Sequence, residues 1–493
     1  MIEQPPPSSD QQQPPPPAQS SSSLPSSSTI TTPAAMSGQQ IGKSGRIHVS
    51  KKAWVVRSLT ILAVLGIIAY TIVLSLQMND WFILASVIFP LHSLTALVVG
   101  WIFFKSPATG KAGDDLVTVI IPVYNQNVMI ESVIDAVFQS TYKNLEVVAV
   151  DDGSKDGTQE ILNRLAAKHP ALKVVHKKNE GKRKAIASAF YNSKGNFLIF
   201  IDSDSIVDRN AIMELLKAFK GDPRVGAVVG HAKVWNADKN ALTKCQDVWY
   251  DNSFNVRKSA ESYFGSVMCC SGCLSGYRRE AIADYLPYWT KAKTPIADDR
   301  EMTSFVISPN KAKEMMAPAT KNMMRWMARY DDAEDRSLTG QALLDWKAVY
   351  VPTALVYTEV PEKMRMFVKQ QKRWKRGTMR VNFFVSAFFW RRNPVMAFLI
   401  FYLEFMHTFI SPLLITTAFI YEPLMLGNYW VPSLLFASLM LMGLAQGADY
   451  KFRDPSSKHW YYKPFENMLA AFVLSWLIFP ALWSLRKNDW GTR

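Results

Sequence analysis

The chain has 493 residues, and its 56 Lys and Arg against 41 Asp and Glu give a formal net charge of +15. Its four cysteines are too few for a disulfide-stapled scaffold and lack the paired spacing of a zinc knuckle. Several apolar runs reach the roughly 20 residues that cross a bilayer as a helix, which excludes a small soluble domain.

Residues 1–45 are rich in Pro, Ser and Gln, and nine of the chain's 27 prolines lie in the first forty positions. Such a segment has too little apolar surface to offset the entropy lost on ordering. We therefore predict a disordered tail over residues 1–45. The segment has no basic start followed by an apolar core, so it is not a secretory signal.

Two apolar runs follow, Ala53–Leu76 and Trp81–Phe104, and each is long enough to span the hydrocarbon core. We predict two transmembrane helices within residues 53–104. Because basic residues precede the first run, the positive-inside rule places the tail and the chain after residue 104 in the cytoplasm. The basic residues are Lys43, Arg46, Lys51 and Lys52.

Short apolar strands alternate with helical stretches such as Asn127–Gln139 and Thr158–Lys168 within residues 105–360. This rhythm predicts a cytoplasmic α/β domain with a mainly parallel sheet and helices on both faces. Ligands of such sheets bind beyond the carboxyl ends of the strands. The predicted strands are Leu116–Pro122, Leu145–Asp152, Leu172–His176, Phe197–Asp204 and Val225–Gly230.

The C-terminal part returns to a membrane composition. Basic and aromatic residues alternate within residues 361–392, which predicts amphipathic helices in the headgroup plane. Residues 393–485 then contain two predicted membrane spans, near Pro394–Tyr421 and Trp430–Ala445.

The last apolar run, Phe465–Leu485, is interrupted by Pro480. A simple crossing would carry the basic residues that follow it to the outside of the membrane. We therefore predict a re-entrant or interfacial element that keeps residues 486–493 in the cytoplasm.

Polar residues follow the predicted strands in series. Asp202 and Asp204, two residues apart after a buried strand, form a pair that can hold a hard divalent ion on a diphosphate. The alternative for such a pair is a solvated turn. Lys182 and Arg183 are predicted to contact the diphosphate, because a merely basic first helical turn is disfavoured by the helix dipole.

A second acidic pair, Asp298 and Asp299, offers a general base for a hydroxyl nucleophile. The alternative is an ordinary helix start enriched in Asp. Gln370, Arg373 and Trp374 lie on one helical face and suit contacts with phosphate oxygens and stacking on a sugar ring. The alternative for this face is an interfacial anchor.

The order of these motifs resembles the processive membrane glycosyltransferases of family 2, which include cellulose, chitin and hyaluronan synthases. Gly181–Arg183, Ser271–Arg279 and the closing Asn488–Arg493 are most like hyaluronan synthases, with the chitin synthase branch close. The resemblance implies a GT-A type fold embedded in an α-helical transmembrane region. It covers the chain from about residue 53 to the C-terminus.

The resemblance also implies an inverting hexosyltransferase of the plasma membrane whose catalytic domain is cytoplasmic. Its partners would be UDP-sugar donors, a growing polysaccharide and the lipid bilayer, with no nucleic acid, and its cofactor Mg²⁺ or Mn²⁺. The expected product is hyaluronan made from UDP-GlcNAc and UDP-glucuronate. Chitin or chitooligosaccharide made from UDP-GlcNAc alone is the alternative, and oligomeric state is not implied.

Carried over residue by residue, the resemblance makes Asp299 the general base, supported by Asp298. Asp202 and Asp204 would hold the metal ion, and residues 486–493 would form a gating tail. The implied nucleotide-binding residues are Tyr124, Asp151, Asp152, Lys182, Arg183, Asp202, Gln370, Arg373, Trp374, Trp490 and Arg493. Of these, Tyr124, Asp151 and Asp152 would hold the uridine. The implied acceptor-binding residues are Cys270, Ser271, Gly272, Tyr277 and Trp374.

The chain departs from the family pattern at two places. Ala297 stands where the family usually has Gly before the acidic pair, and Lys375–Gly377 is more basic than in many hyaluronan synthases. The second departure weakens the assignment of the product. Two other classes remain open, a glycosyltransferase acting once on a lipid phosphate and a non-enzymatic membrane receptor or scaffold.

Overall fold

The computed structural model describes residues 51–91, 94–291, 297–308, 346–386 and 389–485. The predicted disordered tail, residues 1–45, and the predicted gating tail, residues 486–493, lie outside the described residues. Ranges and contacts below refer to the described parts of the chain.

The first described segment is helical. Its first helix has the length and composition of a membrane span. In the second predicted run the described residues are helical on both sides of residues 92 and 93, which lie outside the described residues. The helices are α1 Lys51–Met78, α2 Trp81–Leu91 and α3 Leu94–Ile102.

Eight strands of the described chain form one sheet, in the order β3-β2-β1-β4-β7-β6-β8-β5. Pairs β1–β2, β2–β3, β1–β4 and β6–β8 are parallel, whereas β7 and β5 pair antiparallel with their neighbours. The predicted α/β fold with a mainly parallel sheet is confirmed. The strands are β1 Val117–Val123, β2 Leu145–Asp151, β3 Leu172–His176, β4 Phe197–Phe200, β5 Ser205–Val207, β6 Val225–Val234, β7 Ser275–Arg278 and β8 Lys347–Thr358.

The sequence pattern predicts the first strands well but not the last ones. Leu172–His176 is confirmed to the residue, whereas the strand predicted over Phe197–Asp204 ends at Phe200 as β4, and β5 begins beyond the predicted end, at Ser205. No strand is predicted at β8, which contains Pro352, and a proline normally argues against a central strand. The β6–β8 pairing shifts register just after Tyr350, and this irregularity accommodates the proline.

Helices cover the sheet, and most of them contact its strands. Thr158–Lys168 is confirmed to the residue, and the predicted Asn127–Gln139 begins three residues later, at Ile130. A π-helical stretch, Asn252–Lys258, joins α8 to α9. The helices are α4 Ile130–Phe138, α5 Thr158–Lys168, α6 Lys182–Tyr191, α7 Ala211–Gly221, α8 Ala241–Asp251, α9 Ser259–Tyr263, α10 Arg279–Ile282, α11 Leu286–Lys291 and α12 Asp298–Ile307.

Four long helical segments complete the described chain. The last three have the length and composition of membrane spans. The final segment is helical from Trp460 to Trp483 and is long enough to cross, so the re-entrant arrangement stays a prediction. The segments are α13 Met364–Ser386, α14 Pro394–Met425, α15 Trp430–Arg453 and α16 Trp460–Trp483.

Buried ion pairs join the membrane helices to the sheet domain. On α15, Arg453 pairs with Asp449 of its own helix and with Asp251 at the end of α8, at 2.5 and 2.7 Å. Asp449 also accepts from Arg57 of α1, at 2.8 Å. Helix α8 of the sheet domain is therefore fixed to α15 and, through it, to α1.

Candidate active site

The loop between β3 and α6 is held by the carboxylate that follows β2. Asp152 accepts hydrogen bonds from the backbone N–H of Glu180 and Gly181 and from Lys177 Nζ, at 3.0, 2.7 and 3.0 Å. Gly153 is required beside it, because φ is +78° and a Cβ would lie 2.8 Å from the Asn179 nitrogen. Asp152 thus places the start of α6, and its predicted uridine contact stays a prediction.

The other predicted uridine residues lie at the same edge of the sheet. Asp151 is fully buried and accepts from Ser154 N and His176 Nδ1, at 3.0 and 3.1 Å. Tyr124, directly after β1, is half-buried. Since β1 and β2 are parallel, their carboxyl ends present both residues to one edge, as the sequence predicts.

Lys182, the first residue of α6, faces the acidic pair that follows β4. Its Nζ lies 2.6 Å from Asp202 Oδ1. Burial by itself would lower the pKa of Lys182. The negative charges of Asp202 and Asp299 outweigh this effect, so the pKa of Lys182 lies above its usual value and the side chain carries a full positive charge. Asp204 is half-buried nearby, next to β5.

The acidic pair suits a hard divalent ion. Asp202 and Asp204 are partly exposed carboxylates, which are the ligand type that Mg²⁺ and Mn²⁺ prefer. Among the described residues, no group of three or more His, Cys, Asp or Glu side chains is arranged to hold a metal by itself. The pair therefore fits an ion that takes its remaining ligands from a diphosphate and water, and not a closed protein site.

Asp299 lies at the start of α12, close to Lys182 and Asp202. Its Oδ2 accepts from the Gly272 N–H at 2.7 Å. A Cβ on Gly272 would lie 3.0 Å from both Asp299 Oδ1 and Lys182 Nζ, so any larger residue there would have to displace these two charged groups. Burial and the charge of Asp202 raise the pKa of Asp299 above its usual value, against the opposing charges of Lys182 and Arg373. A carboxylate with a raised pKa is a stronger proton acceptor.

Asp298 is buried and supports the same helix start. Arg183 Nε donates to Asp298 Oδ1 at 2.6 Å, and Arg183 Nη2 contacts Glu301 Oε2 at 2.6 Å. Burial raises the pKa of Asp298 to about 6, and its Oδ2 has no hydrogen-bond partner among the described residues. In this arrangement Arg183 ties α6 to α12, and its predicted contact with the donor stays a prediction.

The residue before the acidic pair has a strained backbone. Ala297 adopts φ +88° and ψ +46°, in the left-handed region that disfavours a Cβ. The Gly that the family usually has at this position would take this conformation freely. The departure noted in the sequence therefore places local strain directly beside the candidate base.

The predicted acceptor residues lie beside Asp299. Cys270 N–H donates to Thr303 Oγ1 at 2.9 Å, and Thr303 Oγ1 donates to the Asp299 carbonyl at 2.6 Å. Tyr277 OH lies 3.3 Å from the same threonine oxygen. Ser271 is half-buried and closes the turn before β7, through a hydrogen bond from Leu274 N to its carbonyl. Thr303 thus couples this loop to α12.

The predicted Gln–Arg–Trp face of α13 lies beside the site formed by Lys182, Asp202, Gly272 and Asp299, which is called the cleft below. Arg373 is close enough for its charge to lower the pKa of Asp299. Trp374 stacks on Trp249 of α8, with ring centroids 5.6 Å apart and planes at 18°. Gln370 Oε1 is buried without a hydrogen-bond partner among the described residues, which leaves an acceptor for a ligand.

Sequence reasoning missed Glu301, Thr303, Trp249 and Tyr250. Burial raises the pKa of the Tyr250 hydroxyl, and the nearby charges of Asp204 and Asp202 add to this effect. The adjacent aromatic residues Trp249 and Tyr250 near the end of α8 were the sequence feature that could have indicated two of these four residues. Trp490 and Arg493 of the predicted gating tail lie outside the described residues.

The cleft therefore contains a lysine–carboxylate group at the sheet edge and a carboxylate of raised pKa next to it. This combination suits the binding of a nucleotide diphosphate on one side and the activation of a hydroxyl on the other. The fold and the cleft together define a glycosyltransferase.

Comparison with known proteins gives the family. The model of glycosyl transferase family 2 matches residues 118–286. The hyaluronan synthase of Streptococcus pyogenes is 30% identical over 416 residues, which are 81% of this chain and 89% of that protein. This chain belongs to glycosyltransferase family 2 and is similar to hyaluronan synthases, as the motifs predicted.

Two further relatives widen the comparison. The N-acetylglucosaminyltransferase of Azorhizobium caulinodans is 30% identical over 269 residues, 54% of this chain and 60% of that protein. The mannosyltransferase PcManGT from Pyrobaculum calidifontis, solved with GDP-Man and Mn²⁺, has a TM-score of 0.51 and 19% identity, covering 83% of this chain and 97% of that one. At that identity the likeness shows the fold alone, and it confirms the predicted GT-A type.

Proposed function

We propose that this chain is a processive, inverting glycosyltransferase of the plasma membrane that makes hyaluronan from UDP-GlcNAc and UDP-glucuronate. The observation that carries the proposal is the meeting of Lys182, Asp202, Gly272 and Asp299 in one cleft. A donor diphosphate on the Lys182 side and an acceptor on the Gly272 side would both reach Asp299.

The reaction is a single displacement. Asp299 takes the proton of the acceptor hydroxyl while that oxygen forms a bond to the anomeric carbon of the donor. The bond from the anomeric carbon to the diphosphate oxygen breaks, and UDP leaves with the electron pair. The raised pKa of Asp299 suits it to hold this proton.

Charge develops on the departing diphosphate, and the cleft is arranged to stabilise it. Lys182 is fixed by Asp202 and places its ammonium where this charge appears. Asp202 and Asp204 would hold Mg²⁺ or Mn²⁺, which when bound supplies further positive charge to the phosphate oxygens. Because Asp202 pairs with Lys182, the lysine also keeps the metal site from accumulating negative charge.

The acceptor side is built from the loop of residues 269–273, α12 and α13. Trp374 is held face to face with Trp249, and we infer that this aromatic wall stacks on the acceptor sugar. Tyr124, Asp151 and Asp152 are assigned to the uridine, and Gln370 and Arg373 to the diphosphate. The growing chain would leave among the membrane helices, with the catalytic domain cytoplasmic.

A chitin or chitooligosaccharide synthase is the second candidate. Two observations favour it, the basic Lys375–Gly377 after the Gln–Arg–Trp motif and the likeness to N-acetylglucosaminyltransferases. It would use every group of the cleft in the same role. The two candidates differ only in whether UDP-glucuronate is consumed.

The test uses purified full-length protein in lipid nanodiscs with Mg²⁺ or Mn²⁺ and each labelled donor, alone and together. Hyaluronan synthesis predicts long polymer only when both donors are present, and its digestion by hyaluronidase. Polymer from UDP-GlcNAc alone that is digested by chitinase would establish the second candidate instead. Absence of UDP release with every donor combination would contradict both. Addition of EDTA tests the metal, since we expect it to stop the release of UDP.

A further inference from the structure

The segment from Asn252 to Tyr263 lies at the junction of the sheet domain and the membrane helices. On α3, a Cβ at Gly100 would lie 3.4 Å from the Val256 carbonyl and 3.5 Å from Ser259 Cβ. Val256 packs in one apolar cluster with residues of α2, α3 and α15. The segment is therefore in contact with the predicted membrane helices.

The same segment leads directly to the acceptor loop, residues 269–273. Glu261 Oε2 accepts from the Met268 N–H at 3.1 Å, which fixes the residue just before Cys269. Burial raises the pKa of the thiols of Cys269 and Cys273, while the positive charge of Lys258 lowers it. Lys258 is thus close to the acceptor loop as well as to the membrane helices.

Two neighbouring cations of this segment differ in their partners. Arg257 pairs with Glu261 at 3.1 Å and with Glu404 of α14. Lys258 is only 6% exposed, and within the described residues its ammonium has no hydrogen bond or ion pair. Its described polar contact is the face of Phe254, whose ring centroid lies 4.2 Å from Nζ.

A buried lysine without a carboxylate is unusual. Lysine is almost never buried unless it is paired, because removal of a charge from water is costly. A cation–π contact offsets only part of that cost and uses none of the three N–H donors. The arrangement leaves the three N–H donors of Lys258 available to an anion from outside the described chain.

We propose that Lys258 binds the carboxylate of a glucuronate residue of the growing polymer, where the polymer passes from the acceptor loop to the membrane helices. The inference rests on the proposed function, since a homopolymer of GlcNAc has no carboxylate. A neutral sugar offers only hydroxyl and amide groups, which do not balance the charge of a buried ammonium. The alternating polymer presents a carboxylate at every second sugar, so the contact would be renewed once per repeat.

The test is a cycle of two changes, one in the protein and one in the ligand. The ligands are a hyaluronan tetrasaccharide and the same tetrasaccharide with its carboxyl groups reduced to alcohols. Binding of each to full-length protein in phosphatidylcholine nanodiscs is measured for the wild type and for Lys258→Gln. We expect the wild type to prefer the carboxylate ligand by about tenfold or more, as a charge-assisted hydrogen bond does.

Lys258→Gln should remove that preference and leave the affinity for the reduced ligand unchanged. If Lys258 has a purely structural role, Lys258→Gln should weaken the binding of both ligands equally, and that outcome overturns the proposal. Lys258→Arg should keep the preference, and Lys168→Gln, a matched change at an exposed surface pair on α5, should leave both affinities as in the wild type. Equal wild-type affinity for the two ligands overturns the proposal without any variant.

Two further outcomes separate this proposal from others. If phosphatidylglycerol in the nanodiscs abolishes the preference, the lysine binds a lipid phosphate, and the proposal is wrong. If both donors are polymerised but Lys258→Gln keeps the preference, only the lysine assignment fails. If polymer forms from UDP-GlcNAc alone, the donor assay shows that the proposed function has failed, and this inference falls with it.

Discussion

The catalytic cleft and the junction with the membrane helices both contain buried charges, but they use them differently. At the junction, Arg453 has a carboxylate on each side, Asp449 and Asp251. In the cleft, Asp298 keeps an oxygen without a hydrogen-bond partner among the described residues, and burial raises the pKa of Asp299. Junction charges hold parts of the chain together, whereas cleft charges remain available to a substrate.

The comparison also explains why Lys258 stands out. By position it belongs to the junction, next to Arg257, whose charge is balanced by Glu261 and Glu404. Within the described chain Lys258 has no paired carboxylate, and in this respect it resembles Asp298 of the cleft, which has an oxygen without a hydrogen-bond partner. If the comparison is right, substitutions in the cleft reduce the rate and spare stability, and substitutions at the junction do the reverse.

The largest expected effect is that of Asp299→Asn. We expect kcat to fall by about 10²–10⁴-fold, because the acceptor hydroxyl loses its base. Binding of UDP-sugar should change by less than about threefold, which isothermal titration checks. The free energy of unfolding should not fall, since a carboxylate whose pKa burial raises is destabilising when ionised at neutral pH.

The control for Asp299→Asn is Asp284→Asn, because Asp284 is exposed. This control should retain wild-type kcat and stability. Synthesis by Asp299→Asn at the wild-type rate would remove Asp299 from the role of base. A fall in its stability comparable to its fall in rate would break the contrast between cleft and junction.

At the junction, Arg453→Met is expected to lower the free energy of unfolding by about 3–5 kcal/mol, because it leaves Asp251 and Asp449 buried without their shared cation. Titration with SDS in mixed micelles measures this change. The rate per folded molecule, well below the transition, should stay within about threefold of the wild type.

The matched control is Arg164→Met, which removes an exposed pair with Glu131 and should cost at most about 1 kcal/mol. If Arg453→Met is as stable as this control, the junction pairs do not hold the domain to the membrane helices.

The sequence predicted those parts of the molecule that depend on local pattern. The strand-end residues Asp151, Asp152 and Asp202 were found because a βαβ rhythm fixes which residues follow each strand. The stretch after β4 was harder, because Asp202 and Asp204 lie between β4 and β5, whereas the sequence predicts a strand up to Asp204.

Contacts between distant segments were not predictable. Nothing in the pattern indicates that Arg183 reaches Asp298 across 115 positions, or that Thr303 joins the acceptor loop to α12. These contacts depend on how β7 and α12 pack, and β7 itself was not predicted. The carboxylate Asp299 was found by its motif, but its raised pKa required the packed structure.

A smaller effect distinguishes the two charged neighbours of Asp299. The base must be ionised, so kcat/KM is high above its pKa and falls as the pH drops below it. Lys182 lowers this pKa and Asp202 raises it. Lys182→Met should therefore move the acid limb of the pH profile up by about one unit, and Asp202→Asn should move it down.

Both variants also reduce the rate. The quantity to measure is therefore the pH at which the acid limb of the profile falls, and not the maximum value of kcat/KM. Shifts in the same direction would mean that Asp299 is not the group that titrates. The profile of Asp284→Asn serves as the reference, because Asp284 is exposed.

The smallest expected effect is that of Ala297→Gly. Glycine relieves the positive φ of residue 297, but it also adds entropy to the unfolded chain, so the free energy of unfolding should rise by up to about 1 kcal/mol. The rate should change by less than about threefold, because Arg183 and Gly272 still hold Asp298 and Asp299. Ala297→Val is the converse variant, since a β-branched residue tolerates this conformation worst. A glycine variant that loses stability, with a valine variant that does not, would show that the strain beside the base is absent in solution.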